Sequence, residues 1–171
     1  MRILGRLLWL IPLAVHTGYL LAVRSTLPAF LGAGPGERGT STAIFMAEWI
    51  LVIVLSNAAF VFIHARLPRF RDSMLAVPGR RHWLSTPERR AELVEKLRGL
   101  CETALFFLNV FYLAVFQSIY QMNAPKPLVT FPRPVLFSFF IALPALAMLA
   151  SVLVTMRRLA SAARRSGEAR P

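Results

Sequence analysis

Seven imidazole, carboxyl and amide side chains lie inside stretches that are largely apolar: His16, Glu48, Asn57, His64, Glu102, Asn109 and Gln117. A polar group at membrane depth is costly, so each should find a partner or do something useful. Two sets of spacings are informative. Asn57 and His64 are seven residues apart, and so are Glu102 and Asn109. Seven residues is nearly two helical turns, so each pair shares a face. On antiparallel helices the two faces match in register, with depths agreeing within ~3 Å. This spacing predicts two helices packed through Asn57–Asn109 and His64–Glu102. Glu48 precedes Asn57 by nine residues and falls on the opposite side of its helix. His16 and Gln117 lie at a similar depth, so a Glu48–His16 contact is expected, with Gln117 near it. These pairs fit either helix-to-helix hydrogen bonding, worth ~0.6 kcal/mol each on average, or a proton or substrate site.

Other chemistry is missing from the sequence. There is no HExxH run, no paired aspartates inside an apolar stretch, and no serine with a nearby base. His16, His64 and His82 fall at three different depths, so no metal cluster is expected. Cys101 is the only cysteine, which excludes an internal disulfide. Gly34-Pro-Gly36-Glu-Arg-Gly39 matches the dinucleotide fingerprint in letters only, because no strand–helix unit surrounds it. It reads as a turn. No cofactor is expected.

Four long apolar stretches must position the polar groups. They predict helices over about 3–23, 43–65, 86–121 and 135–160, joined by outer loops 24–42 and 122–134 and a cytoplasmic loop 66–98. Each is near the 20 residues needed to cross a bilayer. The chain is 171 residues long, 56% hydrophobic, with a mean hydropathy of +0.56. It therefore reads as one all-α, polytopic membrane domain with no separate soluble module.

Charge sets the orientation. Of 20 Lys and Arg, 16 lie in the N-terminus, the Arg66–Arg98 segment and the C-terminal tail. Positive residues stay on the cytoplasmic side during insertion, so both termini are expected there. The net charge of +12 follows from that rule and from anionic headgroups, not from nucleic-acid binding. Arg66, Arg69, Arg71, Arg80 and Arg81 are the expected headgroup contacts. Around Leu67-Pro68-Arg69-Phe70-Arg71, a segment lying on headgroups and a solvated loop are equally consistent with the pattern. The first apolar stretch is too long for a signal peptide and is expected to remain uncleaved. Arg outnumbers Lys 18 to 2, which suits a high-GC bacterial genome and an inner-membrane location.

Ser85-x-x-Glu88 reads as a capping box with Pro87 in the first turn. Leu93, Leu97 and Leu100 share a face, and Glu92 pairs with Lys96. The third helix is therefore expected to begin in the cytoplasm near Thr86 and run unbroken to Gln121. Trp83 should mark the membrane interface.

Val77-Pro78 through Trp83-Leu84, then Pro87-Glu88-Arg89-Arg90, a long helix, and Met122-Asn123-Ala124-Pro125 resemble a group of bacterial multi-pass membrane proteins. These are related to proteins bearing the small uncharacterised domain of SdpI-like immunity proteins. The resemblance covers about residues 65–125. The first outer loop departs from it: Leu27-Pro28 and a Gly-rich run replace the group's His-aromatic segment. The resemblance implies a binding or sensing protein without catalysis, immunity-like, with a peptide or membrane protein as partner. The alternatives are an accessory subunit of a membrane complex, or a small oligomeric transporter using Glu48 and His16.

Overall fold

The computed structural model describes residues 8–32, 39–125, 127, 130, 132, 135 and 141–168, with side chains of 166–168 excepted. The chain is mostly helical. The helices are α1 (Leu10–Val23), α2 (Thr42–Arg66), α3 (Arg80–Trp83), α4 (Pro87–Asn123) and α5 (Leu143–Glu168). A two-residue ladder pairs β1 (Phe30–Leu31) with β2 (Thr40–Ser41) in antiparallel register. Three helical segments are long and apolar enough to cross a membrane: Thr42–Arg69, Pro87–Asn123 and Leu143–Arg165. α1 is apolar but shorter, at 14 residues. The expected start of the first helix at Ile3, the Gly34–Arg38 turn, residues 126, 128, 129, 131, 133 and 134 of the second outer loop, and residues 136–140 of the expected fourth helix lie outside the described residues.

α4 is the axis of the molecule. It runs unbroken for 37 residues, about 56 Å at 1.5 Å per residue. α1, α2 and α5 all pack against it. Two buried apolar clusters lie towards its two ends, and Ala104, Leu105 and Asn109 are buried between them. At the end nearest the ladder, Leu20, Val23, Ile53, Phe116 and Tyr120 form one core. At the arginine-rich end, Leu67, Leu75, Trp83, Leu93, Val94 and Leu159 form the other. Elsewhere the helices expose their apolar surface, including Ile44, Leu51, Leu55, Phe62, Leu149 and Leu153. In water such surface would be a liability, and in hydrocarbon it is matched to its solvent.

The start of α4 differs from the expected capping box by one residue. Thr86, not Ser85, caps the helix, accepting from the Arg89 amide at 3.4 Å. The Ser85 hydroxyl is occupied instead, donating to the His82 carbonyl at 2.8 Å. Glu88 thus sits in the first turn, where its own backbone N–H and then the Thr86 hydroxyl hold its carboxyl below the ordinary carboxylate value.

Trp83 also differs from expectation. It does not sit at a lipid-facing interface but is buried, with 2% exposure, and its indole N–H donates to the Leu159 carbonyl at 3.2 Å. Buried indole demands such a partner. This contact ties α5, which runs to Glu168 and so past the expected end near residue 160, to the loop. Leu159 is packed against Trp83 and Leu93, and Ala163 lies under Gly79. Gly79 is left-handed (φ +71°), and a Cβ there would fall 2.2 Å from that of Ala163. Only glycine serves both demands.

Candidate functional site

The α2–α4 seam is built from amide groups. Asn57 Nδ2 donates to Asn109 Oδ1 at 3.0 Å, and Asn109 Nδ2 returns the bond to Asn57 Oδ1 at 2.9 Å. Each amide also donates to its own helix, Asn57 to the Ile53 carbonyl and Asn109 to the Leu105 carbonyl. Both side chains are buried, and all four N–H groups have acceptors. Seven residues along, His64 Nε2 lies 3.0 Å from Glu102 Oε1. Arg98 Nε donates to the His64 carbonyl at 3.3 Å, tying the same turn to α4. The structure therefore brings together Asn57 with Asn109 and His64 with Glu102.

His16 and Gln117 lie in the other buried polar centre, near the ladder. His16 is fully buried among Trp49 and Phe116, with ring centroids 6.2 and 5.8 Å away. The Trp49 indole N–H donates to His16 Nε2 at 3.2 Å. That bond makes Nε2 the acceptor and places the imidazole proton on Nδ1. Nδ1 is buried without a partner among the described residues. A buried unmade bond of this kind costs about 1–3 kcal/mol. Nearby, the Tyr19 hydroxyl bonds to Gln117 Oε1, and Thr26 meets the Tyr120 hydroxyl at 3.0 Å. The ladder is tied onto this centre, since the Gly32 amide donates to Asn123 Oδ1 at 2.7 Å and the Thr42 hydroxyl to the Pro28 carbonyl.

The expected Glu48–His16 contact does not form. Glu48 is exposed, and its neighbour Trp49 takes the place beside His16. Successive residues on a helix point about 100° apart, so depth agreement could not choose between them. Glu48 instead shares the outward face of α2 with Ile44, Leu51, Leu55 and Phe62, all exposed. At 100° per residue this face lies about 180° from Ile53, Asn57 and His64.

The five arginines expected at headgroups, Arg66, Arg69, Arg71, Arg80 and Arg81, are all exposed at one end of the molecule. Arg66 lies over the Phe62 ring at 5.2 Å. Around them Leu67 is buried and Phe70 half-buried, so this segment is not a plain solvated loop. It is folded as short 3-10 turns, Leu67–Arg69 and Asp72–Met74, and α3. The residue holding it was not legible as special. Arg90 bonds Asp72 Oδ1 at 2.9 Å, the Pro68 carbonyl at 3.1 Å and the Phe70 carbonyl at 2.6 Å. One guanidinium fork thereby closes the loop onto α4. Trp49 and Tyr19 were also missed; their aromatic partners Phe45, Tyr112 and Phe116 offered the only signal. Among the described residues, no group of three or more acidic, His or Cys side chains could hold a metal ion.

Comparisons with family models, curated proteins and solved structures give no match to this chain.

Proposed function

We propose that this is a four-span bacterial inner-membrane protein with both termini cytoplasmic, acting as a binding or sensing protein rather than a catalyst. α1 forms part of the fourth span. The arginine-rich end faces the cytoplasm, and α4 projects from the bilayer there. The observation that carries the binding reading is the ladder end. An exposed Phe30, with 58% of its surface free, sits on a short hairpin tied to α4 through Asn123. That arrangement presents an apolar side chain from a fixed platform, as a peptide or membrane-protein contact requires. The likeness of residues 65–125 to the immunity-type group points the same way.

Photocrosslinking in native membranes tests the reading. A photoreactive residue at Phe30 should capture a defined partner, and one at lipid-facing Leu153 should not. Identical products from both positions would defeat it. Reporter fusions test the topology separately. Phosphatase activity at Pro171, or its absence at Gly36, would invert the assigned orientation.

One observation favours the accessory-subunit reading as second choice. The outward face of α2 carries a carboxylate, Glu48, among exposed aliphatic side chains. Glu48 and His16 are not together within this chain, so no observation favours the transporter reading.

A further inference from the structure

At the arginine-rich end, α4 and α5 face each other across an open cleft of about 350 Å³. Lys96, Gly99, Leu100 and Thr103 line it from α4, and Ser151, Thr155, Arg158 and Leu159 from α5. The steps of three and four put each set on one face. The helices run antiparallel, so Lys96 lies level with Arg158, Gly99 with Thr155, and Thr103 with Ser151. Two cations therefore share the mouth and hydroxyls line the interior. Gly99 opens the cleft, because nothing lies within 4 Å of where its Cβ would be.

The mouth has an excess of positive charge. Lys96 pairs with Glu92 at 2.8 Å, but both side chains are largely exposed, and such a pair is weak and exchangeable. The Arg158 guanidinium has no hydrogen bond or ion pair among the described residues, nor has the Thr155 hydroxyl. Like charges facing each other across a gap repel unless an anion lies between them. Lys96 is held in place from below by the buried Trp83 ring, 5.2 Å away. The depth is also specific. Arg158 is two residues past Met156, where the apolar run ends, so it lies ~3 Å outside hydrocarbon. Phospholipid phosphates occupy that level, and basic pockets between helices suit their headgroups.

We propose that this cleft binds one anionic glycerophospholipid. Its phosphate lies between Lys96 and Arg158, an ester oxygen accepts from Thr155, and an acyl chain follows the α4–α5 groove past Leu100. This rests on the reading that the arginine-rich end meets the headgroups, and it goes beyond general attraction by naming a single site.

The test is native mass spectrometry of the full chain in neutral detergent. Dioleoylphosphatidylglycerol is titrated against dioleoylphosphatidylcholine, which has the same tails and no net charge. The glycerol lipid should bind more tightly, and Lys96→Gln and Arg158→Gln should each weaken it about fivefold. Gly99→Leu keeps both charges but fills the cleft, and it should abolish the preference. Thr155→Leu fills it from the other wall, so a folding defect in one variant leaves the second as the test. Equal binding of the two lipids would overturn the proposal, as would a preference that survives both filling variants. Displacement by millimolar inorganic phosphate would assign the mouth to a soluble anion and overturn the lipid assignment. If the reporter fusions place Pro171 outside while the lipid preference holds, the orientation fails and the site stands.

Discussion

The two cores at opposite ends of α4 look alike and are held by different physics. The arginine-rich core gathers Trp83, Leu75 and Leu67 from a folded loop and sets them against Leu93 and Leu159. On the proposed topology it lies in the headgroup and water region, where burying apolar surface is strongly favourable. On the same proposed topology the ladder-end core, around Leu20, Ile53, Phe116 and Tyr120, lies in hydrocarbon. There the alternative solvent is equally apolar, and only packing and hydrogen bonds distinguish helix from lipid. One chain thus uses two sources of cohesion. At the arginine-rich end the Trp83 and Arg90 donors find backbone and carboxylate acceptors; at the ladder end His16 Nδ1 has no partner among the described residues.

Trp83→Ala should have the largest effect. It removes a fully buried ring and its bond to Leu159, a change that costs about 3–5 kcal/mol in aqueous cores. Chemical denaturation in mild detergent, read by circular dichroism, measures it. A loss no greater than that of Phe116→Ala would erase the distinction between the two cores.

Asn109→Ala comes next, in the seam between them. It strands the Asn57 amide and should cost about 1–3 kcal/mol. The double variant Asn57→Leu with Asn109→Leu removes both partners and should recover most of that loss. A double variant that is worse than the single one would mean the amides do more than join helices. The same seam can be checked by geometry in a Cys101→Ser background. Asn57→Cys should crosslink with Asn109→Cys, and Ser56→Cys should not, since it points about 100° away.

His16→Phe should be near neutral, within about 1 kcal/mol. It removes the unpartnered Nδ1 but leaves the Trp49 N–H without its acceptor, so the two changes offset. A large loss on the same denaturation curve would show that His16 Nδ1 does hold a partner.

Glu88→Gln should be the smallest effect, and it depends on pH. The folded-state carboxyl is held low, so its contribution is present above the ordinary carboxylate range and lost as pH falls through the folded value. Melting temperatures of the parent and variant should differ slightly at neutral pH and converge in acid. A gap that persists in acid would assign the effect to packing.

Much of the α2–α4 seam was legible in the sequence, because the paired spacings Asn57–His64 and Glu102–Asn109 fix both face and register. The lone polar groups were less so. Depth alone placed His16 level with Glu48 but could not say that Trp49, one residue on, occupies the inward face. Ser85 matched the cap pattern, yet the His82 carbonyl claimed its hydroxyl. Trp83 had the composition of an interface marker. Its inward turn depends on a backbone carbonyl 76 residues away, which no local pattern encodes.

The central position of α4 bears on how the molecule is made. Synthesis proceeds from the N-terminus, so α1 and α2 emerge before the helix on which both of them pack. Until α4 arrives, Asn57 and His64 have no destination, and the nascent pair must wait at the translocon or in lipid with those groups unsatisfied. The docking of α1 and α2 is therefore timed by the insertion of α4, and a ribosome stalled before residue 109 should leave a loose, protease-sensitive intermediate.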